Sequence, residues 1–242
     1  MSKTINEQIY FKFKVDHEKT FDSFFSNTNE LVITELRNMF IKNACWIYVS
    51  GSTGTGISHL LQAAFNMALQ NNINSTYLNI NEILDSLTVL SSKDLSNYFD
   101  GLESHDLVCI DDIDKISNNI HLEEQVFYLL ERIKNNSKTN LLIGAHVNAS
   151  QIKCNLNDLQ SRLKWALGLN LKEIPDDQNL NFLKFKTSRL GLEITDDVAN
   201  YLLRRCGRGV LELSKVVDTI DSYSLKKGRA VTIPLVKEAL SF

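Results

Sequence analysis

Three kinds of feature are scarce in this 242-residue chain, and a fourth is missing at a single position. The four cysteines, Cys45, Cys109, Cys154 and Cys206, lie far apart with no C-x-x-C pair. That excludes a disulfide framework and a thiolate metal site, and reads as reduced, core-type thiols of a cytoplasmic protein. No apolar run approaches the length of a membrane span, and no leader sequence is expected. Positive charge is not in excess: 26 Lys and Arg against 29 Asp and Glu leave a net charge of −3, so there is no global basic field to draw the chain to nucleic acid. The local clusters Arg204-Arg205 with Arg208, and Lys226-Lys227 with Arg229, read as solvated helix faces and ends. Strong direct DNA binding is therefore not expected. With 43% hydrophobic residues the chain has enough apolar surface to bury a real core.

The fourth absence is one lysine. Residues Gly51-Ser52-Thr53-Gly54-Thr55-Gly56-Ile57-Ser58 follow the phosphate-loop pattern G-x-x-x-x-G-K-[S/T], with isoleucine where lysine belongs. In that pattern glycines let backbone N–H groups wrap a phosphate chain, the hydroxyl reaches Mg²⁺, and the lysine carries positive charge to the β and γ phosphates. Here the cradle is kept and the charge is gone. The flanking sequence supports the match: Trp46–Ser50 is a β-rich apolar run, and His59–Leu69 has apolar residues at helical spacing. A plain glycine-rich turn between strand and helix is the competing reading. A second segment weighs against it. Leu107-Val108-Cys109-Ile110-Asp111-Asp112 is an apolar strand ending in paired acids, the form in which the first Asp holds Mg²⁺ and the next polarises the attacking water. Asp as an ordinary helix cap is the simpler alternative for that pair taken alone.

Strand-like and helical runs alternate through the first two-thirds, which predicts a parallel sheet covered by helices. The predicted strands are 46–50, 75–80, 106–110, 140–145 and 169–172; the predicted helices are 30–42, 58–71, 81–90, 93–100, 121–136 and 156–164. From Pro175 the pattern is helical: Asp176–Leu190, Thr195–Arg205 and Gly209–Lys226, then an extended Val231-Thr232-Ile233 and a last helix opened by Pro234. The expected organisation is a tail over 1–20, an α/β base over 21–173 and a small helical lid over 174–242. The tail carries Gln8-Ile9-Tyr10-Phe11-Lys12-Phe13, bulky apolar side chains ahead of any domain pattern. An added edge strand on its own domain and a linear ligand for another protein both fit it.

From Phe21 to Phe242 the order of short segments resembles the DnaA-related AAA+ proteins, and among them the Hda-type regulatory inactivators. The resemblance is carried by Phe21-Asp22-Ser23-Phe24, the loop Gly51–Leu61, Leu107–Asp111, Leu141-Leu142-Ile143, Leu159-Gln160-Ser161-Arg162-Leu163-Lys164-Trp165 and Thr232–Glu238. It implies an AAA+ phosphate-loop domain with a five-stranded parallel sheet and a helical lid. It implies a nucleotide site at Gly51, Gly54, Thr55, Gly56, Ile57, Ser58, His59 and Asp111, with Mg²⁺ on Ser58 and Asp111. It makes Arg162 an arginine finger delivered in trans to a neighbour's nucleotide. It also makes Gln8, Ile9, Tyr10, Phe11 and Phe13 a sliding-clamp-binding peptide, and the initiator DnaA a partner. A chain that ends after the lid without a helix-turn-helix is similar to the inactivators rather than to the initiator.

The departures matter as much. Ile57 replaces the lysine, and Leu211 falls where the lid's sensor arginine is usual, with Arg208 about one helical turn away as a substitute. Ala145-His146 stands where the first polar sensor is expected, and Ala166 where glycine follows the tryptophan. Losing both cations removes two charge-assisted contacts, each worth about 1.5–3 kcal/mol. ADP is then held weakly or not at all, and hydrolysis at the chain's own loop is expected to be very poor. The leading expectation is a clamp-tethered protein that stimulates hydrolysis of DnaA-bound ATP through Arg162. Two alternatives stay open: a weak ATPase using Lys115 or Arg208 as the missing cation, and a nucleotide-independent adaptor. Self-association into a homodimer is open as well.

Overall fold

The computed structural model describes residues 15–87, 92–117, 119–207 and 209–241. Of these, 15–21, 31–51 and 56–171 form one compact unit, and 22–30, 52–55 and 172–241 a second.

The first unit is a five-stranded sheet, every pair parallel, built from β1 (Trp46–Gly51), β2 (Ser75–Asn79), β3 (Leu107–Asp111), β4 (Asn140–Ala145) and β5 (Leu167–Leu171) in the order β2-β3-β4-β1-β5. The strands fall within two residues of the expected positions, and the central β1, β3 and β4, covered on both faces, are near-continuous apolar runs. Ile47, Val49, Val108, Ile110, Leu142 and Ile143 are accordingly sealed from solvent. Its helices are α1 (Glu30–Asn38), α2 (Ile57–Gln70), α3 (Ile80–Ser86), α4 (Ser92–Phe99), α5 (Ile120–Asn136) and α6 (Asn157–Leu163). The helix expected over 30–42 stops at Asn38. Beyond it Phe40, Ile41 and Lys42 make i→i−3 turn bonds, and Ala44 takes φ 53°. Met39 is buried and Ile41 exposed, so the apolar period outlasts the helix. Parallel strands put Gly51, Asp111 and Ala145, the last residues of β1, β3 and β4, at one edge, where open α/β sheets bind ligands.

Residues 15–20 are strapped to α2 by one polar stripe. Gln62 Oε1 accepts the Asp16 N–H at 3.1 Å, and Asn66 Nδ2 donates to the carbonyls of Asp16 (2.9 Å) and Lys19 (2.8 Å). The His59 ring lies 3.0 Å from the Thr20 carbonyl. Positions 59, 62 and 66 share a helix face by their i, i+3, i+7 spacing. The candidate peptide Gln8, Ile9, Tyr10, Phe11 and Phe13 lies outside the described residues.

The second unit is the lid: α7 (Asn179–Arg189), α8 (Asp196–Arg205), α9 (Val210–Lys227) and α10 (Ile233–Leu240) around Leu183, Leu202, Leu213, Val217, Ile220 and Leu235. Each boundary has a local cause. Thr195 and Thr232 accept N–H bonds from Val198 and Leu235, Pro234 sits in the first turn of α10, and Gly228 ends α9 at φ 59°. The extended 231–233 piece is not a strand; Thr232 in it is the cap of α10. Residues 22–30 join this unit through particular contacts. Phe25 packs on Phe182 and Phe185, Asn27 donates to Gln178 at 2.7 Å, and Asn29 bonds both the N–H and the carbonyl of Lys172 at 2.9 Å.

Candidate functional site

The glycines form the loop they promise. Thr55 N–H and Oγ1 both turn back to the Ser52 carbonyl, at 3.2 and 2.8 Å. Gly54 and Gly56 stand at φ 90° and 95°, where side-chain-bearing residues are strained. Within the lid unit, Leu211 covers Gly54, its Cδ1 lying 3.3 Å from where a Cβ would sit. Leu211 thus brings carbon, not charge, to the loop. Arg208, the proposed substitute, lies outside the described residues.

Ile57 opens α2 and is 5% exposed. A Cβ on Gly144 of β4 would come within 2.8 Å of Ile57 Cγ2 and 2.9 Å of both Leu61 Cδ2 and Asp111 Oδ1. The isoleucine is therefore a core group that fills the space Gly144 leaves. His59, also expected at the nucleotide, instead serves the strap to Thr20.

Asp111 is 1% exposed. Tyr77 donates its hydroxyl to Asp111 Oδ2 at 2.6 Å, Gln62 Nε2 donates to Tyr77 at 3.3 Å, and Oδ1 accepts the Asp112 N–H at 3.0 Å. The Ser58 side chain faces the same carboxylate and favours its charged form. Burial pushes the Asp111 carboxyl up and the neighbouring Asp112 charge adds to it, with Tyr77 and Ser58 offsetting only part. Burial and the Asp111 charge likewise raise the Tyr77 phenol. Ser58 and Asp111 are the pair that would meet Mg²⁺, but Tyr77 holds one oxygen of the acid, Asp112 N–H the other, and position 57 is apolar. This donor set does not fit a magnesium triphosphate.

The second acid turns elsewhere. Asp112 adopts the left-handed conformation at φ 58°, and its Oδ2 accepts the amides of Asn79 (3.2 Å) and Asn81 (2.7 Å). Asp114 accepts the His146 N–H at 3.0 Å, and the His146 ring Nδ1 lies 3.4 Å from Asp114 and 3.6 Å from Asp112. Burial would raise the Asp114 carboxyl, but the His146 amide and Lys115 outweigh it and hold it below the ordinary range. Lys115, the other candidate cation, is paired with Asp114 at 3.1 Å.

Arg162 stands in the last turn of α6. The wholly buried Glu123 of α5 sets that helix in place by accepting the Leu156 N–H at 2.9 Å and the Asn155 amide at 3.1 Å. The Arg162 Nε donates to Glu131 of α5, and the guanidinium lies 4.1 Å from the ring centroid of Trp165. Lys134 Nζ is 4.2 Å from the same centroid. Trp165 is half exposed, and Ala166 follows it without strain into β5. Glu123, Glu131 and Tyr77 are not singled out by sequence. Two are acids on an amphipathic helix and one is a tyrosine on a strand, each ordinary for its element.

The basic clusters are engaged locally: Arg229 pairs with Glu238 at 3.1 Å, and Arg205 and Lys227 lie near Tyr201 and Tyr223. All four cysteines are free thiols. Among the described residues no helix is long and apolar enough to cross a membrane.

Known proteins with the same pattern fit this geometry. The profile of the bacterial DnaA ATPase domain matches residues 15–171, and that of the Hda lid domain matches 176–240. An uncharacterized protein of Haemophilus influenzae is 31% identical over 243 residues, covering 98% of this chain and all of that one. Domain III of Thermotoga maritima DnaA superposes with TM-score 0.78 at 16% identity, over 95% of this chain and 98% of that one. AMPPCP-bound Aquifex aeolicus DnaA gives TM-score 0.71 at 20% identity, over 88% and 68%. The T. maritima RuvB branch migration motor shares the fold more distantly, at TM-score 0.65 and 15% identity. The chain therefore belongs to the DnaA-related AAA+ family, joining a bacterial DnaA ATPase domain to a lid of the Hda type.

Proposed function

We propose that this chain is an Hda-type regulator that acts on DnaA, presenting Arg162 to ATP bound by the initiator and stimulating its hydrolysis. The observation that carries the reading is the contrast between Arg162, one-quarter exposed with only its Nε bonded, and the chain's own loop, where Ile57 supplies no charge. A guanidinium delivered in trans stabilises charge developing on the transferring phosphoryl group and is worth roughly 10³–10⁵ in rate. It needs no competent nucleotide site on its own subunit. The chain's own loop then binds ADP through backbone N–H groups and the start of α2 alone, weakly, and does not hydrolyse ATP. Tethering through Gln8, Ile9, Tyr10, Phe11 and Phe13 to the DNA-loaded sliding clamp places Arg162 where the initiator works. The pairing of Lys115 with Asp114 weighs against the weak-ATPase reading that needs it at the loop.

The test is single-turnover hydrolysis by ATP-loaded DnaA in the presence of this protein and clamp-loaded DNA. Wild type accelerates it and Arg162→Ala does not. Full acceleration by Arg162→Ala would leave an adaptor in its place. Gln8→Ala should raise the concentration needed without lowering the maximal rate; an unchanged concentration dependence removes the clamp from the scheme.

A further inference from the structure

The way Arg162 is held goes beyond its identity as a finger. A guanidinium carries five N–H donors in a fixed plane. One of them, on Nε, is taken by Glu131, while Nη1 and Nη2 make no hydrogen bond among the described residues. The Trp165 ring at 4.1 Å restricts the plane of the group. Lys134 stands 4.2 Å from the same ring centroid, so two cations share one indole and repel each other. Glu131, bonded to Arg162, lies one turn before Lys134 on α5 and adds a negative charge to that helix face. Arg162 is three-quarters buried and Glu131 about as much, so this pair loses less to solvent screening than a fully exposed one.

We infer that Glu131 is a positioning residue for Arg162: its carboxylate takes the Nε hydrogen, Trp165 fixes the guanidinium plane, and the four Nη hydrogens stay presented to a phosphoryl oxygen on another molecule. The inference rests on the trans-acting reading above. Without an acceptor at position 131 the freed side-chain torsions let the guanidinium wander, and a group displaced by about an ångström loses much of its effect on a transition state. Docking is untouched, because Glu131 acts through Arg162 and not through the partner. Glutamine at 131 keeps an acceptor for Nε–H and so keeps the geometry.

In the single-turnover assay, Glu131→Ala should lower the maximal stimulated rate about tenfold while leaving the half-saturating concentration unchanged. Glu131→Gln should stay within about threefold of wild type. A second measurement needs no partner. The Arg162 Nε–H signal in a ¹⁵N spectrum, identified by its loss in Arg162→Lys, should exchange slowly with solvent in wild type and Glu131→Gln, and rapidly in Glu131→Ala. Wild-type stimulation and an equally protected Nε–H in Glu131→Ala, with Arg162→Ala inactive, overturn the role of Glu131 and leave the finger standing. Equal loss in Glu131→Ala and Glu131→Gln, seen as a raised half-saturating concentration, overturns it too, since that marks a docking residue. If Arg162→Ala is fully active, the trans-acting reading falls while the exchange measurement still reports on the bracket.

Discussion

The start of α2 and the end of α6 treat their polar side chains in opposite ways. At α2 the polar groups are turned on one another: Ser58 and Tyr77 on Asp111, Gln62 on Tyr77, Ile57 into the packing under Gly144. At α6 Arg162 is braced by Glu131 and Trp165, and its Nη groups are unbonded among the described residues. A motif can thus persist as architecture after losing its charge, because a loop's glycines and a strand's buried acid are also parts of a fold. Arg162 also ties α6 to α5 through Glu131, yet that bond takes only its Nε hydrogen.

The largest expected effect lies on the open side. Arg162→Ala should cut stimulated DnaA hydrolysis by at least about a hundredfold, read by single-turnover kinetics; retained stimulation would erase the contrast. Next comes Ile57→Lys, which restores the motif on paper. Because Ile57 is a core group, the substitution should cost about 2–4 kcal/mol in denaturant unfolding without nucleotide, and added ADP should recover part of it. A gain in regulatory activity from this variant would mean that the loop is a weakened working site. Gly144→Ala should cost about 1–3 kcal/mol by overpacking against Ile57 and Leu61; a neutral result would show that Ile57 does not seal that space.

The smallest effect is in pH dependence. With the Asp111 carboxyl raised by burial, the unfolded chain gives up its proton first as pH climbs through the ordinary carboxylate range. Stability should therefore fall over the interval between the ordinary and the raised value. Asp111→Asn should flatten that decline and give a higher melting temperature than wild type at neutral pH. Asp114 runs the other way: held low in the fold, it stabilises above the ordinary carboxylate range and loses that contribution as pH drops through its depressed value. A lower melting temperature for Asp111→Asn at neutral pH would mean that a charged Asp111 supports the fold.

How much of this was legible in the sequence varied with the physics involved. β1, β3 and β4 were readable because buried parallel strands must be continuously apolar, and the lid because Thr195, Gly228, Thr232 and Pro234 mark helix ends by local chemistry. The loop's departure from pattern at Ile57 was equally plain. Its consequence was not, since it depends on Gly144, 87 positions away in the chain but adjacent across the sheet–helix contact. Tyr77 reaching Asp111, Glu123 capping α6 and Glu131 meeting Arg162 are long-range pairings of the same kind. His59 shows the converse limit. Its place beside the loop suggested the nucleotide, but the helical period turns it toward the strap.

That strap also has a mechanical meaning. Gln62, Asn66 and His59 grip the backbone of residues 16–20 at successive points along α2. A pull applied through the chain ahead of Val15 would load these bonds together, and α2 and the sheet beneath it would bear the force. A protein moored by its tail in this way would carry tension in the layer that holds its buried strands.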